Sequence, residues 1–579
     1  MAVAPQPSRR DRLSYVRDRL AGILRPRVSV SEPPAGAVAS ELDVAVPMRD
    51  GVVLRVNVYR PPGDEPVPAI MSAHPYGKDV LPRRGRRGRW RFSPQYRAFR
   101  QPQPVAFSSL TGWEAPDPAW WVARGYAVVN CDLRGCGTSD GTGDLLTAKE
   151  GEDYHDLIEW AAVQPWCTGK VGLLGVSYLA ISQYEAAATR PPHLAAICPW
   201  EGFSDPYRDL MRPGGVREDG FVRVWSRGVR KWRLTSDVRA GQVAHELCDE
   251  WWQARTPTVE RIEAPMLVCA SFSDHNLHSH GSFRAFEQAG SRQKWLYTHR
   301  GGKWATFYSA DALAAQRRFF DHFLKGEDNG QAEQSPVRLE VRSDRDTVVE
   351  VRQEQEWPLR ATDWTELRLS ADGRLIVGGA EPAGASEPGA HERDGHLAEG
   401  AVRFETDSGV AIFRRAFAER TELSGPMALR LHVSIEGGDD ADLHVRVHKV
   451  RDGRAVPFEG SYGYGLDGVT TGWLRISQRE LDVERSRPFE PVHTHARRLP
   501  LAPGEIAPVE IALMPSATLF EAGDELVLEV HGRWPKPRNP ITGQFPAWYE
   551  RRPAVRCALH CGGERDARLL VPVIRRASG

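Results

Sequence analysis

The sequence has no excess of charge of either sign. It carries 76 Lys and Arg against 76 Asp and Glu, a formal net charge of zero. Nothing global therefore draws it to nucleic acid or to an anionic membrane. Cysteine is sparse, at 8 in 579 residues, which excludes a disulfide scaffold and leaves reduced, mostly buried thiols as the expectation. Cys557, His560 and Cys561 resemble half a metal site but lack a fourth ligand, so no metal or other cofactor is expected. No stretch approaches the ~20 apolar residues that span a bilayer. The N-terminus has no continuous apolar run ahead of a cleavage site, and a cytoplasmic protein is expected. Leu13, Val16, Leu20, Ile23 and Leu24 share one helical face, which is expected to dock on the protein itself. No fixed-period repeat is present.

What is there reads as several units. Residues 1–40 form an N-terminal arm ending in SEPPAGAVAS. From about Leu42 two alternating runs flank Asp50-Gly51, a hairpin signal. VPAIMSAHPY, GYAVVNCDLRG, KVGLLGVS, HLAAICPW and APMLVCASFSD then read as strands covered on both faces, alternating with helix-like stretches such as GEDYHDLIEWAAVQ. That alternation predicts an α/β unit, a parallel sheet with helices on both sides, over 41–326. Residues 203–263, rich in Arg, Trp and acids, interrupt it as a helical insertion placed to cap a site. After a polar linker, VRLEVRS, ALRLHVSIE, ADLHVRVHKV and ELVLEVHGR alternate with period two. They predict an all-β sandwich or jelly roll over 335–579.

The sharpest chemical signal is KVGLLGVSYLA, in which an apolar strand leads through Gly175-Val176-Ser177-Tyr178 into a helix. This is the context of a nucleophile elbow, where a serine hydroxyl projects from a sharp turn. The second glycine of Gly-x-Ser-x-Gly is Leu179 here, and the nearest small residue is Ala180. A serine nucleophile needs a base, and the base an orienting carboxylate, in the chain order Ser, acid, His. Asp274 stands after the strand PMLVCASFS, where the acid is expected. His275, His278, His280 and His299 follow it. The first three share a segment with Asp274 and are read as lining a loop or beginning the next helix. His299 closes KWLYTH, the end of the next strand, and is favoured as the base. The N–H of Tyr178 is the expected oxyanion donor, and Tyr76 in AHPYGKD offers a phenol as a second.

These stretches, with PMRDGVVLRVNVYRP, HPYGK, PDPAWWVARGYAVVNCDLRGCGTSDG, FFDHFLKG and GWLRISQRELD, resemble the serine hydrolases that include cocaine esterase, X-Pro dipeptidyl-peptidases, α-amino-acid ester hydrolases and glutaryl acylases. The resemblance runs from about residue 41 to the C-terminus. It implies an α/β-hydrolase core with an inserted helical cap and a C-terminal jelly-roll, galactose-binding-like domain. It also implies Ser177 as nucleophile, Asp274 as acid and Tyr76 as an oxyanion donor. The group's elbow often reads Gly-x-Ser-Tyr-x-Gly, which puts its later glycine at Ala180. Its histidine often lies in Gly-Pro-Trp-x-His, whereas here Leu296–Trp304 reads LYTHRGGKW.

Three further features have simpler readings. Asp132 and Arg134, on a Gly-rich loop without a Walker lysine, read as structural ion pairing. Arg83, Arg84, Arg86, Arg87, Arg89 and Arg91 lie in one loop that reads as solvated, a subunit contact or a gate rather than a nucleic-acid surface. Glu201, Asp205, Asp209, Glu218 and Asp219 could hold a substrate amine, but surface acids are the default. The expectation is a serine hydrolase that cleaves ester or amide bonds of small molecules through an acyl-enzyme. An X-Pro dipeptidyl-peptidase and a catalytically silent binding protein are the alternatives. Substrate identity and homo-oligomerisation are left open.

Overall fold

In the computed structural model, residues 4–99, 101–378, 392–393, 396–539, 541 and 543–575 are described. Nine adjacent strands of a larger mixed sheet carry the site: β1 (Ala39–Pro47), β2 (Val53–Arg60), β3 (Val67–His74), β4 (Ala127–Asp132), β5 (Cys167–Val176), β6 (Leu194–Trp200), β7 (Met266–Ser271), β8 (Lys294–His299) and β9 (Val337–Arg342). Their spatial order is 1-2-4-3-5-6-7-8-9. β1 and β2 form the expected hairpin, with Gly51 at φ 82° in its turn. From β4 to β9 every pairing is parallel. The cause is visible in the composition: β4 and β7 are buried at every residue, as strands covered on both faces must be.

Six helices matter below: α1 (Arg9–Leu24), α2 (Ala148–Ala162), α3 (Tyr178–Ala188), α4 (Ser279–Gln288), α5 (Lys303–Phe307) and α6 (Ala310–Lys325). α3 is buried along its whole length. Between β6 and β7 lie the shorter helices Phe221–Val229, Val238–Ala244 and Glu250–Gln253. α1 docks by Tyr15 and Arg19, while Leu13, Leu20, Ile23 and Leu24 stay exposed. The expected apolar face of that helix is thus the outward one. No helix among the described residues is long and apolar enough to cross a membrane. The arginine-rich segment is a small hairpin, Arg83–Arg84 against Trp90–Arg91, with Arg84 paired to Glu32 at 3.0 Å.

The segment VRLEVRS, expected to open the C-terminal unit, instead extends the first sheet, with Leu296 facing Val337. Beyond it, the long strand Thr421–Glu436 pairs antiparallel with Ala507–Phe520, Arg556–Cys561 and Arg568–Ile574. Asp442–Arg451 pairs with Glu525–His531 and Thr470–Arg475. Leu429, Leu443, Val445, Ile511 and Leu528 belong to a second core, separate from the one under the site. All eight cysteines carry free thiols. His560 Nε2 is bonded to Ser434 Oγ at 2.8 Å, away from any ligand geometry with its neighbouring cysteines.

Candidate active site

Ser177 sits between β5 and α3 with φ 62° and ψ −117°, a conformation that costs a non-glycine residue free energy and clusters at functional turns. Two backbone bonds hold it from outside the turn: its N–H donates to Trp200 O (3.1 Å), and the Val176 N–H donates to Glu114 O (3.1 Å). Gly175 is required locally, since a Cβ there would lie 2.4 Å from Leu179 Cβ. The missing second glycine is compensated across the turn. Ala180 packs against Gly202, where an added Cβ would come within 2.8 Å of Ala180 Cβ. The space moved to the end of β6.

Asp274 and His278 share one tight turn after β7. The Asp274 carbonyl accepts from the N–H groups of Leu277, His278 and Ser279. Residues four apart in a helical turn lie on one face, and here His278 Nδ1 is 2.6 Å from Asp274 Oδ2. The other ring nitrogen, Nε2, is 3.2 Å from Ser177 Oγ. All three side chains are buried. Lys303, at the start of α5, places Nζ 2.7 Å from Asp274 Oδ2 and 2.8 Å from His278 Nδ1. Burial disfavours the ionised Asp274, but the Lys303 ammonium and His278 outweigh it and hold the carboxyl well below its usual range. Burial, and next the Lys303 ammonium, push His278 below its ordinary value.

His299, expected as the base, is committed elsewhere. Its Nε2 lies 3.0 Å from Glu201 Oε1, and its Nδ1 accepts from the Gly301 N–H at 3.2 Å. With both ring nitrogens engaged in this way, the structure does not bring it to Ser177. His278, read from the sequence as part of a loop or helix start, does cap α4, and from there it reaches the serine. His275 lies beside Asp467 (3.8 Å) and His280 beside Glu490 (3.4 Å). The spacing Asp-x-x-x-His was the available signal for His278. Lys303 and Glu201 carried no comparable pattern. Glu201, Cys269 and His299 bring one ligand atom each within 4.8 Å. Glu201 is already bonded to His299, and the Lys303 ammonium stands 3.8 Å from its other oxygen, a poor setting for a further cation.

Tyr76 stands over the serine. It shares the pocket lining with Ser177 and Trp225, and burial raises its pKa well above the ordinary phenol value. The Tyr178 N–H opens α3, among the first-turn donors that have no partner within the helix. Its phenol donates to Glu150 (2.6 Å), whose carboxyl burial pushes up to about 8. A pocket opens beside Ser177 and His278. Its walls include Ile181, Phe203, Leu210, Met211, Phe221 and Trp225, and among the described residues no acidic side chain lines it.

The acids considered for amine binding are taken up elsewhere. Asp205 pairs with Arg208 (2.8 Å), Asp209 with Arg284 (2.5 Å) and Asp219 with Arg239 (2.7 Å). Glu218 accepts four backbone N–H groups, from Gly220, Phe221, Val222 and Trp548. Asp132 and Arg134 are not paired to one another. Asp132 accepts the Lys78 and Thr138 N–H groups, and Arg134 holds Asp153 and Asp50.

The turn that carries acid and base is clasped by the C-terminal half. Asn276 Nδ2 donates to the Tyr549 hydroxyl (2.9 Å), and Ser461 Oγ donates to Asn276 Oδ1 (3.0 Å). Next to β8, Arg300 donates to the carbonyls of Gly468 and Val469 at 2.6 and 2.9 Å.

The family model for X-Pro dipeptidyl-peptidase (S15 family) matches residues 50–242, and that for the X-Pro dipeptidyl-peptidase C-terminal non-catalytic domain matches 329–570. Cocaine esterase of Rhodococcus sp. is 25% identical, over 92% of this chain and 98% of that protein. An α-amino acid ester hydrolase shares the fold at 18% identity, with a TM-score of 0.65 over 93% of this chain and 97% of the other. A CocE/NonD family hydrolase from Staphylococcus aureus is 35% identical, with a TM-score of 0.84 over 93% of this chain and 94% of that one. With a hydrolase sheet order, a strained serine elbow and a relative of this identity along nearly its whole length, the chain belongs to the CocE/NonD family of hydrolases.

Proposed function

We propose that the protein is a serine esterase for small, uncharged, apolar acyl groups, working through an acyl-enzyme on Ser177 with His278 as base and Asp274 as its orienting acid. The observation that carries this reading is the unbroken chain Ser177 Oγ–His278 Nε2 (3.2 Å) and His278 Nδ1–Asp274 (2.6 Å). Ser177 attacks the ester carbonyl as its proton passes to His278 Nε2. The Tyr76 hydroxyl and Tyr178 N–H stabilise the oxyanion. Collapse of the tetrahedral intermediate releases the alcohol, which takes the proton from His278. Water then adds to the acyl-enzyme, giving a proton to His278, and the acid leaves as Ser177 regains that proton.

The insertion at 203–263 is read as the cap of this site, because Leu210, Met211, Phe221 and Trp225 line the pocket. Residues 335–579 are read as a jelly-roll unit that buttresses the acid–base turn, 41–326 as the hydrolase unit and 1–40 as an arm. Free thiols throughout suit a cytoplasmic setting.

Mass spectrometry of intact protein after fluorophosphonate treatment tests the mechanism. One adduct is expected in the wild type, none in Ser177→Ala and a strongly slowed reaction in His278→Ala. Equal labelling of wild type and Ser177→Ala, or none in either, sinks the reading, and none in either favours a silent binding protein.

The matched family descriptions support a second reading, an X-Pro dipeptidyl-peptidase. Such an enzyme must hold a substrate ammonium, yet among the described residues no acid lines the pocket, and Asp205 and Asp209 are paired with Arg208 and Arg284. Turnover of a phenyl ester against an X-Pro-anilide separates the two, and the ester is expected to win.

A further inference from the structure

Lys303 has no part in the steps above, yet it stands closer to the acid–base pair than any other cation described. Asp274 Oδ2, His278 Nδ1 and Lys303 Nζ form a triangle with edges of 2.6, 2.7 and 2.8 Å. One carboxylate oxygen therefore faces two N–H donors. A ring nitrogen whose proton points at Asp274 has no lone pair left for Lys303, so the 2.8 Å edge is a contact between neighbouring donors to one acceptor. Protonating Nε2 then places an imidazolium against an ammonium.

The charged groups around the pair are few. Asp274 faces His278 from its own turn, Lys303 from α5 and Glu201 from the end of β6. Lys303 is in turn faced by Asp274, Glu201 (3.8 Å) and Glu114. Burial works against its charge, but these carboxyls outweigh burial and raise its pKa. Burial pushes Glu114 up to about 8, so its share of that support fades in acid medium, whereas Asp274, held well below its usual range, keeps its own.

We propose, resting on the triad reading above, that Lys303 is a positioning residue that keeps His278 neutral with Nε2 free for Ser177, so that the esterase works in acid media where a His–Asp pair alone would be protonated. The same ammonium makes His278 a weaker base. The device therefore favours low-pH operation over maximal rate at neutral pH.

The test is the pH dependence of kcat/KM for phenyl acetate hydrolysis, followed by chromatography of released phenol, in wild type, Lys303→Met and Lys303→Arg. Wild type should lose activity only as pH falls through a midpoint below 6.5, the ordinary histidine value. An opposite charge within ~4–6 Å shifts such groups by roughly 1–3 pH units, and a like charge acts in the reverse direction. Lys303→Met should therefore move the acid limb upward by about one unit or more, losing about tenfold at low pH while the plateau above pH 8 is kept or raised. Lys303→Arg should restore the low midpoint.

A wild-type midpoint at or above 6.5 overturns the proposal without any variant. So does a folded, active Lys303→Met with an unmoved limb, or a uniform loss at all pH values that Arg does not rescue. Loss of labelling in Ser177→Ala and His278→Ala, with an unmoved limb in Lys303→Met, would discard this inference and leave the triad standing. Retained labelling in those two variants would discard the triad itself.

Discussion

Two histidine–carboxylate pairs lie side by side at the edge of one sheet, and only one of them meets the serine. His278–Asp274 sits in the turn after β7 and reaches Ser177. His299–Glu201 joins the ends of β8 and β6, with an Nε2–Oε1 distance of 3.0 Å, and reaches neither Ser177 nor the pocket. Both histidines are buried and both have a carboxylate at hydrogen-bond distance. What separates them is the free second nitrogen. In the first pair Nε2 is left for the nucleophile, whereas in the second Nε2 is taken by the carboxylate and Nδ1 by the Gly301 N–H.

The sharpest way to break this comparison is to remove each histidine in turn. His278→Ala should lower kcat for a phenyl ester by roughly 10⁴–10⁶-fold, as loss of a triad base does elsewhere. His299→Ala should cost about tenfold or less, with a lower melting temperature because the buried Glu201 loses its hydrogen bond to His299. Equal losses in steady-state kinetics would mean the two pairs act together. Next in size is Tyr76→Phe. Removing one oxyanion donor should cost about 10²–10³-fold in kcat with KM little changed. A change in KM alone would make Tyr76 a binding residue.

Tyr549→Phe probes the clasp on the acid–base turn from the far half of the chain. Leaving the buried Asn276 amide without its acceptor should destabilise by about 1–3 kcal/mol, read as a lower urea midpoint of inactivation. The smallest effect concerns pH and stability. Glu114 is raised by burial from 4.5 to about 8. Its favourable share is complete below about 4.5 and lost as pH rises through about 8. Between pH 5 and 8.5 the melting temperature of the wild type should therefore fall more steeply than that of Glu114→Gln.

Much of this site was legible in the sequence. The elbow announced Ser177 because an apolar strand, a small residue and a helix follow one another without a break. Asp274 stood at a strand end, where the sheet delivers an acid. His299 met the same criterion, which is why it misled: chain order constrains the sequence of roles, not which segment supplies the base. The Asp274–His278 spacing was readable as one turn of helix, but its approach to Ser177 depends on how β7 and β5 bring their following turns together. Lys303 and Glu201 were beyond reach because their partners lie on other strands, at no fixed spacing. The strand alternation predicted the sheet well, except at Val337–Arg342, whose period-two pattern reads the same in an extended core sheet as in a separate β unit.

The clasp of Asn276 by Ser461 and Tyr549 also bears on how the molecule comes to life. During synthesis the serine elbow emerges early, together with every strand that builds it. The turn that holds acid and base still lacks its grip until Tyr549 has been made. A ribosome-bound chain thus carries the serine elbow before the Tyr549 contact on the neighbouring turn can form.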